Sequence, residues 1–313
     1  MTPSTPIIVV GSINRDHMIR CHQLPLPGQT VHGQSITWGG GGKGANQAFA
    51  AAQLGGDVAM IGAVGGDAYG SEARAALANA GCDVGGVRTI GATSGQAIVL
   101  VQDDGTNSIV VIEGANGLFD RRELLGEADR LSRAAIVLLQ LEIPFETVVE
   151  AAALARRAGS HLILDPAPAA VLPERLLQSV DIVTPNQTEL AAMSGRQPGD
   201  RPAIAEAARA LRARGTDTVI VKLGAEGCLL VDSDGERHLA APVVDAVDTT
   251  GAGDIFNGAL AVALSEGREI AEACRFAIAA AAISVTRRGA QAATPTRAEA
   301  DTMFRNASTH PDR

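Results

Sequence analysis

Short runs of β-branched and aliphatic residues recur along this chain and alternate with longer stretches whose apolar positions repeat at helical spacing. Residues 7–11 predict a buried strand, 43–54 a helix, 58–64 a second strand, and 72–80 a helix stopped by Gly81. From 136 onward the alternation is regular: strands at 136–141, 162–165, 182–184 and 219–223, helices at 145–157 and 203–214. Such alternation implies right-handed crossovers and a mostly parallel sheet covered by helices on both faces, an α/β fold. Two segments, at about 13–38 and 93–113, break the rhythm with strand and turn signals but no helix. In the second, 96–102 and 108–112 flank Asp103-Asp104-Gly105-Thr106-Asn107, a hairpin signal. The two segments are expected to pair into a small separate β-sheet, a lid over the strand ends. With no internal repeat or low-complexity linker, residues 1–313 are read as one domain, fraying at 308–313.

Composition sharpens this picture. Apolar residues make up 46% but aromatics only 3%, so the core rests on Ala, Val, Leu and Ile. A net charge of −9 argues against nucleic acid or an anionic membrane as partner. A negative protein that handles phosphates must concentrate its few cations or recruit metal ions. The start of the chain carries no signal-peptide pattern, and no apolar run is long enough for a membrane span. The very apolar 276–285, bounded by Arg275 and Arg287, reads as a buried core helix. Cys21, Cys82, Cys228 and Cys274 match no metal or redox spacing, which suits reduced thiols in a cytoplasmic protein.

The most informative motif is Asp248-Thr249-Thr250-Gly251-Ala252-Gly253-Asp254, running straight into an alanine-rich helical pattern. Two glycines and an alanine leave the first helical N–H groups bare, which makes an anion pocket. A carboxylate there repels a phosphate unless it takes a proton from the attacking hydroxyl, so Asp254 is either a base or a cap. Gly39-Gly40-Gly41-Gly42-Lys43-Gly44-Ala45-Asn46 is not a Walker A loop, because Gly44 stands where Ser or Thr should follow the lysine. Gly39, Gly41 and Gly44 also satisfy G-x-G-x-x-G with Asp67 downstream, a weak dinucleotide signal. A close-packing turn, or contact of Lys43 and Asn46 with a polar ligand, competes with it. Asn14 and Asp16 leave the first strand's carboxyl end, spaced to share hydroxyls of a polyol or to make an Asx turn. Glu142 follows another strand end. Asn186 and Glu189 fit a capping box or a site near phosphates. Lys222, Gly224 and Gly227 follow a further strand, where a loop can lie against a nucleotide.

Taken in order, Gly11-Ser12-Ile13-Asn14-x-Asp16, Gly41 to Asn46, Asn186-x-x-Glu189 and Asp248 to Asp254 resemble the ribokinase branch of the phosphofructokinase-B-type sugar and nucleoside kinases, from residue 7 to about 295. The resemblance implies ATP-dependent phosphate transfer to the 5-hydroxyl of D-ribose. It implies that Asn14, Asp16, Gly41, Gly42, Lys43, Asn46, Glu142 and Asp254 hold the sugar. Asp254 would be the base, and Gly251, Ala252 and Gly253 the anion hole. Asn186, Lys222, Gly224, Gly227, Gly253 and Ile278 would line the ATP site, with Glu189 acting on magnesium through water. A potassium site would use Asp248, with Thr250, Ser284, Arg287 and Gly289 contributing largely backbone carbonyls. A homodimer through the lids is a further implication. Ala293, Ile278 and Lys222 depart from the residues common in that branch, where Ser, His or Asn, and Thr often stand. The rival readings are a nucleoside kinase with a wider sugar pocket, another pentose or sugar kinase, an NAD-dependent oxidoreductase, and a non-catalytic sugar binder. Asp254 argues against the last.

Overall fold

The computed structural model describes residues 5–91, 93–104, 106–195 and 199–309. Strand β1 (Ile7–Val10) is buried along its whole length, as four consecutive Ile and Val residues require. The chain then leaves the main sheet for an antiparallel pair, β2 (Asn14–Cys21) and β3 (Gly33–Gly41), before α1 (Lys43–Gln53). It returns through β4 (Val58–Val64), α2 (Ala68–Asn79) and β5 (Asp83–Thr89). A second excursion makes the hairpin β6 (Gly95–Val101) and β7 (Asn107–Ile112). Three short helices, α3 (Ala115–Leu118), α4 (Arg121–Leu125) and α5 (Ala128–Leu131), lead to β8 (Ile136–Leu139). Then follow α6 (Phe145–Ala158), β9 (His161–Leu164), α7 (Glu174–Leu177), β10 (Ile182–Val183), α8 (Gln187–Ser194), α9 (Arg201–Arg212) and β11 (Thr218–Lys222). The hairpin β12 (Cys228–Asp232) and β13 (Gly235–Leu239) precedes α10 (Ala252–Ser265), α11 (Ile270–Ser284) and α12 (Arg297–Thr309).

Nine strands form one sheet in the order β13-β12-β11-β10-β9-β8-β1-β4-β5, parallel from β11 to β5 and antiparallel across β12 and β13. Side chains alternate between two cores, as the two-residue period of a strand demands. Ile7, Val9, Val58 and Met60 join the core under α1, α10 and α11, while Ile8, Val10, Ile61 and Val137 join the one under α6, α8 and α9. The fold is thus the expected mostly parallel sheet between helical layers. The four remaining strands form the expected small second sheet, ordered β3-β2-β6-β7, with β2 and β6 parallel. The turn residue Gly105 of the anticipated hairpin, and residues 310–313 of the anticipated fraying end, lie outside the described residues.

Helix α2 starts at Ala68, four residues earlier than its apolar pattern suggests, because Asp67 caps it: Oδ1 accepts from Gly70 N at 2.8 Å. The other oxygen accepts from Ser94 N at 2.7 Å, which ties the helix to the foot of β6. Asp67, which the G-x-G-x-x-G spacing above would place on the ribose of a dinucleotide, is thereby committed to structure. Strand β5, the β12–β13 hairpin and helix α12 were not anticipated; β5 and β13 are half polar and sit at the two sheet edges. All four cysteines are buried and free. Among the described residues no helix is long and apolar enough to cross a membrane.

The glycine run between β3 and α1 sets how closely helix and sheet approach. A Cβ on Gly44 would stand 2.6 Å from the carbonyl carbon of Gly11 and 2.7 Å from Ser12 N, backbone that has nowhere to go. Gly44→Ala should therefore lower stability by about 1–3 kcal/mol, the usual cost of overpacking. Gly39→Ala, whose added methyl meets nothing within 4 Å, should be close to neutral. Urea melts of the two variants against wild type check this.

Candidate functional site

Helix α10 opens on Gly251, whose φ of 73° lies in the left-handed region and whose missing side chain lets Ala290 approach. No side chain caps this end; Ala252 N donates to Thr249 O at 3.2 Å, while the first-turn N–H of Gly253 is bare. Asp254 lies in that first turn, but it is not the cap. Its carboxylate is buried and accepts from Asn46 Nδ2 at 3.0 Å and Gln47 Nε2 at 3.1 Å, both from α1. Burial raises its pKa first of all, and the nearby Asp165 adds to this; Lys43 and the two amide donors oppose it.

Asn14 and Asp16 are in strand β2, opposite Gly41 and Gly39, so neither makes an Asx turn. Any side chain at position 41 would strike the Asp16 carboxyl group. Asn14 Oδ1 accepts from Asn116 Nδ2 at 2.7 Å, which leaves the Asn14 amide nitrogen to donate. Gly42, with φ of 84°, starts α1 from beside the Asn14 backbone, and Lys43 is the first helical residue. Glu142, just after β8, takes Lys43 N at 3.0 Å and Ser12 Oγ at 2.6 Å on one oxygen. Asp16 is pushed up to about 7, by burial first and then by Glu142 and Asp254, while Lys43 pulls it down. Burial works against the Lys43 charge, but Asp254, Asp165, Glu142 and Glu189 outweigh it and hold its pKa above the usual lysine range. Asn14, Asp16, Gly41, Gly42, Lys43, Asn46, Glu142 and Asp254 thus converge: a polar pocket with one lysine among several carboxylates.

On the other side of the α10 start, Lys222 ends β11 and its Nζ pairs with Asp165 Oδ1 at 2.8 Å. The same Nζ lies 3.4 Å from where a Gly253 Cβ would stand, so the cation borders the bare helix end. Asn186 bridges to Lys222 through the backbone. Asn186 and Glu189 do make the capping box: Asn186 Oδ1 accepts from Glu189 N at 2.8 Å, and Glu189 Oε2 from Asn186 N at 2.7 Å. Burial raises the Glu189 pKa, Lys222 opposes it and Asp165 reinforces it, so its carboxylate faces this same charged cluster. Gly224 and Gly227 flank a short 3-10 turn after β11, and Ile278 is buried within α11; these three lie outside the hydrogen-bonded cluster.

Asp248, Thr250, Ser284, Arg287 and Gly289 form a second group. Asp248 Oδ1 accepts from Thr250 N at 2.9 Å and Thr250 Oγ1 at 2.6 Å, and Oδ2 accepts from Gly289 N at 2.9 Å. The Val247 and Asp248 N–H groups donate to Val285 O, which straps the loop before α10 onto the turn after α11. The Arg287 side chain turns away to Glu299 on α12. Among the described residues no group of three or more His, Cys, Asp or Glu is arranged to hold a metal. Asp248 is the single carboxylate of this group, a charge that suits a monovalent cation better than a divalent one. Glu189 alone suits magnesium carried mainly by phosphates and water.

Sequence reasoning did not single out Gln47, Asp165, Gln140 or Asn116, all buried and hydrogen-bonded to the pocket residues or to one another. Asp165 carried a usable signal: it follows a strand and precedes Pro166, as Glu142 follows a strand and precedes Pro144 within two residues.

Residues 4–297 match the pfkB family of carbohydrate kinases, a span that contains every residue of both groups. The chain belongs to that family. Among pfkB-type relatives, the ribokinase of Haemophilus influenzae is 40% identical over 294 residues, covering 94% of this chain and 96% of its own. A deoxyribokinase of Salmonella typhi is 35% identical over 291 residues, covering 92% and 95%. The structure of Arabidopsis thaliana ribokinase complexed with ribose and ATP superposes with a TM-score of 0.89 at 35% identity, covering 96% of this chain and 99% of that one.

The raised Asp16 pKa has a stability signature. Between the ordinary carboxyl value of 3.8 and about 7 the folded protein keeps a proton that the unfolded chain has lost, so stability falls as pH rises through that window. Asp16→Asn should remove its share of this slope. Thermal melts from pH 4.5 to 7.5 should therefore decline less steeply for the variant than for wild type.

Proposed function

We propose that this chain is an ATP-dependent sugar kinase that transfers the γ-phosphoryl group to the 5-hydroxyl of D-ribose, giving D-ribose 5-phosphate. The observation that carries the reading is the buried Asp254 carboxylate, held by Asn46 and Gln47 beside the uncapped start of α10. The sugar hydroxyl oxygen attacks the γ-phosphorus and its proton passes to Asp254. The bond to the β-bridging oxygen breaks and ADP leaves. Charge on the transferring phosphoryl group is met by the N–H groups of Gly251, Ala252 and Gly253, and by Lys222 beside them. Asn14, Asp16, Gly41, Gly42, Lys43, Asn46 and Glu142 supply donors and acceptors for the remaining hydroxyls. Asn186, Gly224, Gly227 and Ile278 belong to the nucleotide side.

Magnesium, when bound, screens the phosphate charge, and Glu189 is the residue suited to reach it through water. A potassium ion beside Asp248, with carbonyls of Thr250, Ser284, Arg287 and Gly289, would stiffen the loop that forms the anion hole. The whole chain is read as one α/β domain whose lid is the β3-β2-β6-β7 sheet. That sheet exposes Ile36, Trp38 and the run Ile109 to Ile112, with Trp38 at 62%, which suits a homodimer formed lid to lid. The net charge of −9 argues against nucleic acid and membrane partners, and free buried thiols suit a reducing cytoplasm.

The 35% identical deoxyribokinase keeps 2-deoxyribose as a rival substrate. A pocket built to hydrogen-bond a hydroxyl rejects the analogue that lacks it, because its polar groups are left unpaired. A phosphorylation panel of ribose, 2-deoxyribose, other pentoses, adenosine and inosine should give ribose the highest kcat/KM; equal or higher values for 2-deoxyribose or a nucleoside would overturn the assignment. Asp254→Asn should cut kcat by about a hundredfold or more while ribose and ATP affinities stay within about tenfold; a variant retaining a tenth of wild-type kcat would show that Asp254 is not the base. Replacing potassium with tetramethylammonium should lower kcat/KM, whereas equal rates in both buffers would dismiss the cation site.

A further inference from the structure

The Gln47 side chain is fully buried in α1, and its two amide hydrogens go to two different carboxylates. Nε2 donates to Asp254 Oδ1 at 3.1 Å and to Asp165 Oδ2 at 2.9 Å. Its Oε1 accepts from Gln140 Nε2 at 2.7 Å, also fully buried, at the end of β8. The two carboxylates and this third bond together set which way the Gln47 amide points. Turned over, it would aim a carbonyl oxygen at two carboxylates and its own NH2 at the NH2 of Gln140. The far oxygen of Asp165 takes Lys222 Nζ at 2.8 Å, at the edge of the bare α10 start.

We propose that Gln47, oriented by Gln140, is a positioning residue that holds the Asp254 carboxylate ionised and aimed, and that it links this base through Asp165 to the Lys222 cation on the phosphate side. The inference rests on the reading of Asp254 as the base. A buried carboxylate takes up a proton unless donors and cations compensate its lost hydration. The charged groups that face Asp254 are Lys43 from α1, Asp165 from the end of β9 and Asp16 from β2. Lys43 is the largest influence that favours the ionised form, and the neutral donors Asn46 and Gln47 add to it against Asp165. Asn46 meets one Asp254 oxygen and Gln47 the other. Gln47 also separates the Asp254 and Asp165 carboxylates by giving each a hydrogen.

The test uses Gln47→Leu, which removes both donors at similar volume, and Gln140→Leu, which touches neither carboxylate but frees the Gln47 amide to turn. Asp254 is followed by carboxyl 13C NMR in protein labelled at aspartate, its resonance assigned by its loss in Asp254→Asn. In Gln47→Leu the Asp254 titration should move up by about one pH unit. The acid limb of kcat should move with it, and kcat at pH 7 should fall roughly tenfold with ribose KM within threefold. Gln140→Leu should move both in the same direction by less. A folded Gln47→Leu with an unmoved Asp254 titration and kcat within twofold of wild type would overturn the proposal. If Gln47→Leu does not fold, the same unmoved result in Gln140→Leu overturns it. The NMR arm needs no substrate: a wild-type protein inactive on ribose, with the titration shift intact, would fault the substrate reading and leave the positioning role standing.

Discussion

A carboxylate buried at the start of a helix is the constraint around which this molecule is arranged. Asp254 can be there only because α1 lies against α10 closely enough for Asn46 and Gln47 to reach it. Gly258, one turn further along α10, makes that approach possible: a Cβ there would stand 2.7 Å from Gln47 O and 3.0 Å from Ala51 N. Leaving a buried charge without partners costs several kcal/mol. The alanine-rich faces of α1, α10 and α11 therefore serve the chemistry as well as the core, since larger side chains would hold the helices apart.

Much of this was legible in the sequence, and the legible part shares a property. Gly251 to Asp254, Gly41 to Asn46 and Asn186 to Glu189 each place glycine, amide and charge within a few consecutive residues where a helix begins, and local chain geometry then dictates what they can do. The central strands were legible because they are short unbroken aliphatic runs. Gln47 and Asp165 were not: their meaning arises from pairs 118 and 207 residues apart that only tertiary packing creates. The edge strands β5 and β13 escaped for a related reason, since half-polar edge strands lack the hydrophobic signature of the middle. Asp67 misleads in the opposite sense, with the spacing of a ribose ligand and the hydrogen bonds of a helix cap.

The lid is joined to the body with very little slack. β2 leaves β1 after three residues, and β3 enters α1 through the single residue Gly42. Asn14 and Asp16 ride on the lid strand, whereas Asn46, Gln47 and Asp254 ride on helices of the body. The polar cluster that holds Asn14, Asp16, Asn46 and Asp254 is consequently assembled across the joint between a small sheet and a large one. The uncapped helix end, Lys222 and Asp254 all belong to the larger part.

The buried thiols give the molecule an internal record of its own openings. Cys21 lies in lid strand β2, Cys82 at the foot of β5, Cys228 in β12 at the far end of the sheet, and Cys274 in α11. Burial pushes the Cys82 thiol up to about 12, and the hydrogen bond with Cys228, followed by burial, holds the Cys274 thiol well above its ordinary value, so neither is reactive while its surroundings are closed. Each can meet a soluble reagent only when its own element opens. Cys21, Cys82 and the adjoining Cys228 and Cys274 thus amount to three separate clocks for local unfolding, in the small sheet, at one edge of the large sheet, and where its other end meets a covering helix, already written into the native chain.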